Sequence, residues 1–110
     1  MAMGWFGVRA VFAFDLGERG VLTYEERLTL WRAESAPAAL ELAGQDAADY
    51  ARCLDGCVFT GLLQACDLPE EPGHGGEVFS LMRDSALLPD KYVAAFFDTG
   101  WERRSISDGE

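Results

Sequence analysis

The first third of the chain carries two segments in which apolar side chains recur at every second residue, separated by a short turn. The first segment, residues 5–16, has only apolar side chains at its even positions. A period of two indicates a β-strand with one face on a core. The second segment, residues 22–34, follows a turn whose end glycines, Gly17 and Gly20, tolerate positive φ. The chain therefore opens with a predicted β-hairpin, on which the other elements must pack.

The register of this hairpin is predicted from apolar matching. Pairing Leu16 with Leu22 puts the even positions of both strands on one common apolar face. A shift by one residue would set Phe12 opposite the charged Glu25, so apolar matching favours the first register. In that register Glu26 lies opposite Phe12, so its carboxylate must reach past the sheet edge, find a partner or carry a raised pKa. An edge position or a local bulge is the favoured explanation.

The rest of the chain alternates helix and strand patterns. Residues 38–54 form a predicted helix with an alanine-rich apolar stripe and Ser35 as its N-cap. Residues 57–68 are apolar on both faces, which favours a central strand or one that is covered on both sides. Residues 77–84 form a predicted fourth strand, and a short helix covers residues 89–97. The predicted fold is α+β in the order β-β-α-β-β-α, a four-stranded, mostly antiparallel sheet with helices packed on one face.

Length and charge restrict the class of protein. The 110 residues correspond to a single domain, with residues 4–100 as its ordered core and residues 102–110 as a frayed tail. A net charge of −10 disfavours nucleic acid and anionic membranes as partners. Three cysteines without a secretion signal are typical of reduced thiols, so we expect a cytoplasmic protein.

The residues that carry chemistry do not form a recognisable catalytic or metal-binding motif. Cys53, Cys57, Cys66 and His74 supply enough ligands for zinc, but nine residues of extended strand separate two of the cysteines by about 30 Å. We therefore predict no metal and no cofactor, with the cysteines as buried free thiols. The only histidine, His74, lies in a glycine-rich loop and has no nucleophile signature beside it. The sequence therefore leaves any catalytic residues unknown.

One face of the hairpin is a candidate contact surface. In the predicted register, Trp5, Arg9, Arg27 and Trp31 share the face away from the core. Tryptophan and arginine are enriched at protein interfaces. This face is therefore the predicted partner-binding surface, unless another part of the same chain, such as Trp101, covers it.

Short motifs along the chain resemble a bacterial protein family. They are an aromatic first strand at residues 5–9, an E-E-R second strand at residues 24–27, and an A-E-S helix start at residues 33–35. Residues 76–80 resemble the family's fourth strand. The chain is similar to small bacterial proteins that are classed only as a domain of unknown function. The resemblance implies a bacterial, cytoplasmic protein, and it implies no activity, cofactor or site residue.

Two functions remain open from the sequence. The favoured one is a non-enzymatic module that self-associates or binds another protein, with a neutralising partner of a basic protein as a special case. The alternative is a small enzyme or ligand-binding protein with a pocket near Glu26, between sheet and helices, which would also use Tyr24.

Overall fold

The chain folds as an antiparallel sheet with one long helix across it. The computed structural model describes residues 2–17 and 20–104. Its elements are β1 (Gly4–Phe14), β2 (Thr23–Ala33), α1 (Ala36–Arg52), β3 (Cys57–Leu68) and α2 (Pro89–Phe96). The strands lie in the order β2-β1-β3, and β1 pairs antiparallel with both neighbours. The predicted α+β class is confirmed, but the element order is β-β-α-β-α.

The hairpin turn has the predicted glycine conformations. Gly17 and Gly20 both have positive φ, of 77° and 71°. Glu18 and Arg19, between them, lie outside the described residues, as do residues 105–110 of the predicted tail.

The predicted register of the hairpin is wrong by one residue. Phe12 pairs with Glu25 and Ala10 pairs with Arg27, so the odd positions of β2 face α1. The reason is that Tyr50 of α1 receives both charged side chains. Its hydroxyl donates a hydrogen bond to Glu25, and its ring lies against the Arg27 guanidinium. Partners on the helix therefore decide the register, and apolar matching between the strands does not.

Helix α1 packs on the sheet through its alanine stripe. Ser35 Oγ accepts a hydrogen bond from the Ala38 backbone N–H at 3.3 Å, which confirms the predicted N-cap. The alanines that the helix buries are Ala39, Ala43 and Ala47. Because these side chains are small, the helix lies close over β1, where Val8 and Phe12 are completely buried.

Strand β3 is an edge strand, so of the two predicted alternatives the central position is wrong. Its pairing with β1 is interrupted by a β-bulge opposite Val11. Within the bulge Gly61 has a φ of 92°, and the Thr60 hydroxyl donates a hydrogen bond to the Val11 carbonyl at 2.8 Å. The central position belongs to β1 because α1 covers one of its faces and a later segment crosses the other.

The predicted fourth strand and the packing of the second helix are not found in the described residues. Residues 77–84 form no strand. This segment crosses the face of the sheet at Gly7, where an added Cβ would lie 1.8 Å from the Val78 carbonyl oxygen. Beyond the crossing, α2 comes close to none of the described strands and does not touch α1. The prediction of helices packed on one face therefore holds for α1 only.

Candidate interaction surface

The predicted contact residues lie on two different faces of the sheet. We call the side of the sheet away from α1 the open face. Trp5 and Arg9 are on the open face, whereas Arg27 and Trp31 are on the side of α1, because they pair with even-numbered residues of β1. The predicted four-residue surface is therefore not a single surface.

Trp31 belongs to the core. It packs against a cluster of the buried residues Phe6, Ala33 and Ala39. Its indole N–H donates a hydrogen bond to Thr29 Oγ1 at 2.7 Å. A substitution of Trp31 would therefore remove core packing, so it is unsuitable as a test of a contact surface.

Arg27 links β2 to α1 through two side-chain contacts. Its Nη1 lies 3.1 Å from Asp46 Oδ2, and its guanidinium carbon lies 4.0 Å from the centre of the Tyr50 ring. An ion pair and a cation–π contact thus hold the same side chain. Because both contacts lie within the chain, they give Arg27 a structural role.

Glu25 and Tyr50 complete this polar contact between β2 and α1. The Tyr50 hydroxyl donates a hydrogen bond to Glu25 Oε1 at 2.8 Å. Burial, with the hydrogen bond and negative charge of Glu25, raises the pKa of Tyr50 to about 12. Burial also raises the pKa of the Cys57 thiol, with a smaller effect from Glu25. These groups are internal partners of one another.

On the open face, Arg9 links all three strands. Its Nε and Nη2 donate hydrogen bonds to Gln64 Oε1 at 2.9 and 2.6 Å, and its Nη1 donates to Glu26 Oε1 at 3.2 Å. Its guanidinium also lies 5.1 Å from the centre of the Phe79 ring. Glu26 therefore lies opposite Val11 on the open face, and its predicted place opposite Phe12 is wrong.

The open face is covered near Gly7 and bare towards its other end. Glu77 reaches it beside Cys66, Val78 crosses at Gly7, and Phe79 lies against Arg9. Beyond this crossing lies an apolar region that we call the bare patch, made of Val11, Ala13, Tyr24, Leu28, Val58 and Leu62. Leu28 is 49% exposed and Val58 is 62% exposed, so their own chain leaves these side chains in water.

The C-terminal part of the chain also buries almost nothing. We call residues 77–104 the arm. None of the residues from 69 to 104 is buried. Phe96 and Phe97 at the end of α2 are 49% and 58% exposed, and Trp101 is 86% exposed. The arm therefore carries a second apolar surface without cover.

Short contacts within the arm give α2 its only described support. Arg83 Nη1 donates a hydrogen bond to the Tyr92 hydroxyl at 2.6 Å. The Tyr92 ring packs against Phe96 and Phe97, with centroids 4.9 and 5.7 Å apart. These contacts order the aromatic side chains relative to one another and leave Val93 beside them exposed.

Sequence reasoning missed the bare patch because it assigned the even positions of β2 to the core. The signal was present in two places. Tyr24 and Leu28 alternate with charged residues in β2, and β3 is apolar on both faces. Both patterns indicate a second covered face, and α1 supplies only one.

A wide cleft lies at the end of the hairpin, close to the predicted ligand pocket. Its volume is about 1330 Å³, and its lining includes Tyr24, Glu25, Glu26, Tyr50, Trp101 and Arg103. This exceeds the usual ~300–1,000 Å³ of ligand pockets. Glu25 and Glu26 enter the cleft from opposite faces of β2, so they form no acid–base pair. The pocket hypothesis stays a prediction that this geometry does not strengthen.

The cysteines and histidine are dispersed. Cys53 is exposed, while Cys57 and Cys66 are partly buried, so the prediction of buried thiols is wrong. His74 is exposed in its loop. Across residues 2–17 and 20–104, no three His, Cys, Asp or Glu side chains are placed to hold a metal ion together.

Comparison with known proteins assigns no family. The chain matches no protein-family model, no curated protein and no solved structure. The resemblance to the bacterial family therefore stays a prediction. Neither of the two described helices has the length and apolar content to cross a membrane.

Proposed function

We propose that this protein is a non-enzymatic interaction module that self-associates through the bare patch. The observation that supports the proposal is an apolar surface around Val11 and Ala13, interrupted by Glu26. Its outer side chains, Tyr24, Leu28, Val58 and Leu62, are left open to water by their own chain. A patch of this kind on a folded domain marks an interaction surface more often than an inert one. The predicted homo-oligomer is thus retained, with a different set of contact residues.

The total surface of the chain supports the same proposal. The chain exposes 8285 Å², whereas a compact monomer of its 12.1 kDa exposes about 6,000 Å². Nine residues lie outside the described ranges. Even at the ~160 Å² per residue of an unfolded chain, they would leave an excess of roughly 850 Å². One partner contributes about 800 Å² to a standard interface.

Charge does not prevent two copies from meeting at this face. Although the chain carries −10, the charged residues that the strands place on the open face are only Arg9, Glu26 and Arg32. Arg9 and Glu26 form an ion pair with each other. Glu77 of the arm also reaches this face beside Cys66, so the positive and negative charges on the open face balance and present no cluster of carboxylates to another copy.

The test is the mass in solution of the wild type and of two matched variants. Leu28→Lys places a charge in the bare patch. Leu42→Lys makes the same change at an exposed leucine of α1, on the other side of the molecule. We expect the wild type and Leu42→Lys to form dimers at micromolar concentration, and Leu28→Lys to be monomeric, by sedimentation equilibrium. A wild type that stays monomeric at all concentrations would end the proposal of self-association.

Binding to a basic protein is a second candidate, favoured by the distribution of acidic groups. Glu41 and Asp49 are exposed on α1, and Glu70, Glu71 and Glu77 are exposed after β3. These carboxylates would steer a basic partner to the surface away from the bare patch. Such a complex weakens with added salt, and binding of a basic protein that does not change with salt would contradict it.

A further inference from the structure

We propose that α2 from a second copy is the element that covers the bare patch, and that the two copies exchange this contact reciprocally. The inference rests on the proposed self-association and adds which surfaces meet. Each chain would then contribute one helix and one sheet face, and a two-fold axis would relate the two contacts.

The first support is that α2 is too short to stand alone. It has 8 residues and buries none of them. Isolated helices below about 12–15 residues are marginal in water, and most helices in proteins depend on packing of an apolar face. The described part of the chain supplies no such packing from β1, β2, β3 or α1. The helix therefore needs a surface from another molecule.

The second support is that α2 has the pattern of a docking helix. Tyr92, Val93 and Phe96 fall on one side of it at helical spacing, and Phe97 follows as its C-cap. Lys91 lies on the opposite side, and Asp90 lies at the border of the apolar side. The apolar side is wide enough to lie across two strands, and the bare patch extends over all three.

The third support is that the reciprocal contact covers both the bare patch and the apolar side of α2. If two open faces packed directly on each other, both copies of α2 would stay in water. If two helices paired, both bare patches would stay in water. Packing α2 on the bare patch in both directions covers all four surfaces.

The experiment places one charge in each surface of the full-length chain. Leu28→Lys alters the bare patch, and Val93→Glu alters the apolar side of α2. Ala95→Glu is the control for the helix, because Ala95 lies about 200° round the helix from Val93. All three side chains are exposed, so each variant is expected to fold, which far-ultraviolet circular dichroism checks. We expect Leu28→Lys and Val93→Glu each to weaken the dimer at least about tenfold, and Ala95→Glu to leave it unchanged.

Mixing the two weakened variants distinguishes the geometry. In a mixed dimer, one contact is entirely wild type, and the other brings the introduced lysine to the introduced glutamate. We therefore expect the mixture to dimerise when each variant alone does not. A mixture that stays monomeric overturns the reciprocal contact between helix and sheet.

The outcomes for the two proposals differ. A monomeric wild type contradicts both. A wild-type dimer that Leu28→Lys disrupts and Val93→Glu leaves intact keeps the proposed function and overturns the role of α2.

Amide hydrogen exchange provides a second measurement that needs no variant. The backbone amides of residues 92–96 of the wild type are expected to exchange at least about tenfold more slowly at concentrations where the dimer forms. Fast exchange of these amides at every concentration overturns the role of α2.

Discussion

Tyr50 accounts for the unexpected orientation of β2. Its hydroxyl binds Glu25, and its ring supports Arg27. Without these contacts, the Glu25 carboxylate would face the helix with no partner, and Arg27 would keep only its ion pair with Asp46. One residue of α1 thus makes it possible for β2 to turn its polar side inwards and its apolar side outwards.

The raised pKa of Tyr50 makes this contact dependent on pH. The pKa lies near 10.0 in the unfolded chain and at about 12 in the folded one. Between pH 10 and pH 12, the Tyr50 hydroxyl has lost its proton in the unfolded chain but keeps it in the folded one. The stabilisation is therefore complete below pH 10 and is lost as the pH rises through 12.

We expect Tyr50→Phe to lower the free energy of unfolding by about 1 kcal/mol at pH 8, because it removes a hydrogen bond to a carboxylate at a partly exposed site. The variant should also lose less stability than the wild type between pH 10 and 12. Urea denaturation across this range measures both effects. Tyr24→Phe, which removes an exposed hydroxyl, is the control. If the free energy of unfolding changed with pH in the same way for Tyr50→Phe and the wild type, the proposed role of the Tyr50 hydroxyl would be contradicted.

At the scale of the elements, the arm and the sheet meet where β1 has no side chain. The Val78 carbonyl occupies the position that a Cβ at Gly7 would take. A methyl group there cannot be accommodated without displacing backbone, because the separation would be only 1.8 Å.

We expect Gly7→Ala to lift the arm from the sheet, since the β1 backbone is fixed on both sides by its neighbours. Limited proteolysis should then cut residues 77–80 at least several-fold faster than in the wild type. Gly44→Ala is the matched control. Its Cβ would meet Leu63 Cδ1 at 3.5 Å, an ordinary contact, so this variant should gain up to about 1 kcal/mol from helix propensity. Unchanged cleavage of Gly7→Ala would show that the arm is not held at this crossing.

The elements differ in how far the sequence predicts them. β1 and α1 were predictable because each carries its own periodic pattern and, for α1, a serine cap. The register of β2 was not, because it depends on Asp46 and Tyr50, whose positions are known only after α1 is placed. Residues 77–84 have the composition of a strand, but a local pattern does not distinguish pairing along an edge from crossing a face.

The residues of the candidate site were not predictable from the sequence. The sequence indicated a contact surface of tryptophan and arginine side chains on the hairpin face away from the core, whereas the bare patch consists of aliphatic side chains and Tyr24. Because the register was shifted by one, Arg27 and Trp31 were assigned to the wrong face, while Leu28 was assigned to the core. Of the four residues named from the sequence, Trp5 and Arg9 lie on the open face.

At the scale of the whole molecule, the net charge predicts how the proposed dimer responds to salt. Each chain carries −10, so two copies repel each other through their carboxylates, while the apolar contact is uncharged. From 0.01 to 0.1 M salt the screening length falls from about 30 to about 10 Å. We expect the dissociation constant of the dimer to fall roughly two- to tenfold over this range, by sedimentation equilibrium. A dimer that dissociates as salt is added would instead be held by ion pairs.

The β-bulge in β3 has a consequence for how far association can proceed. An uninterrupted outer strand offers a row of free backbone groups that can template endless addition of further chains. Here the bulge at Thr60 and Gly61 interrupts that row in the middle of β3. On the inner side, the Thr60 hydroxyl donates a hydrogen bond to the Val11 carbonyl of β1. A strand from another chain could therefore form backbone hydrogen bonds with only half of this edge at a time. The bulge thus protects one edge of the sheet against endless addition of strands, whereas β2, at the other edge, pairs with β1 without interruption from Thr23 to Ala33.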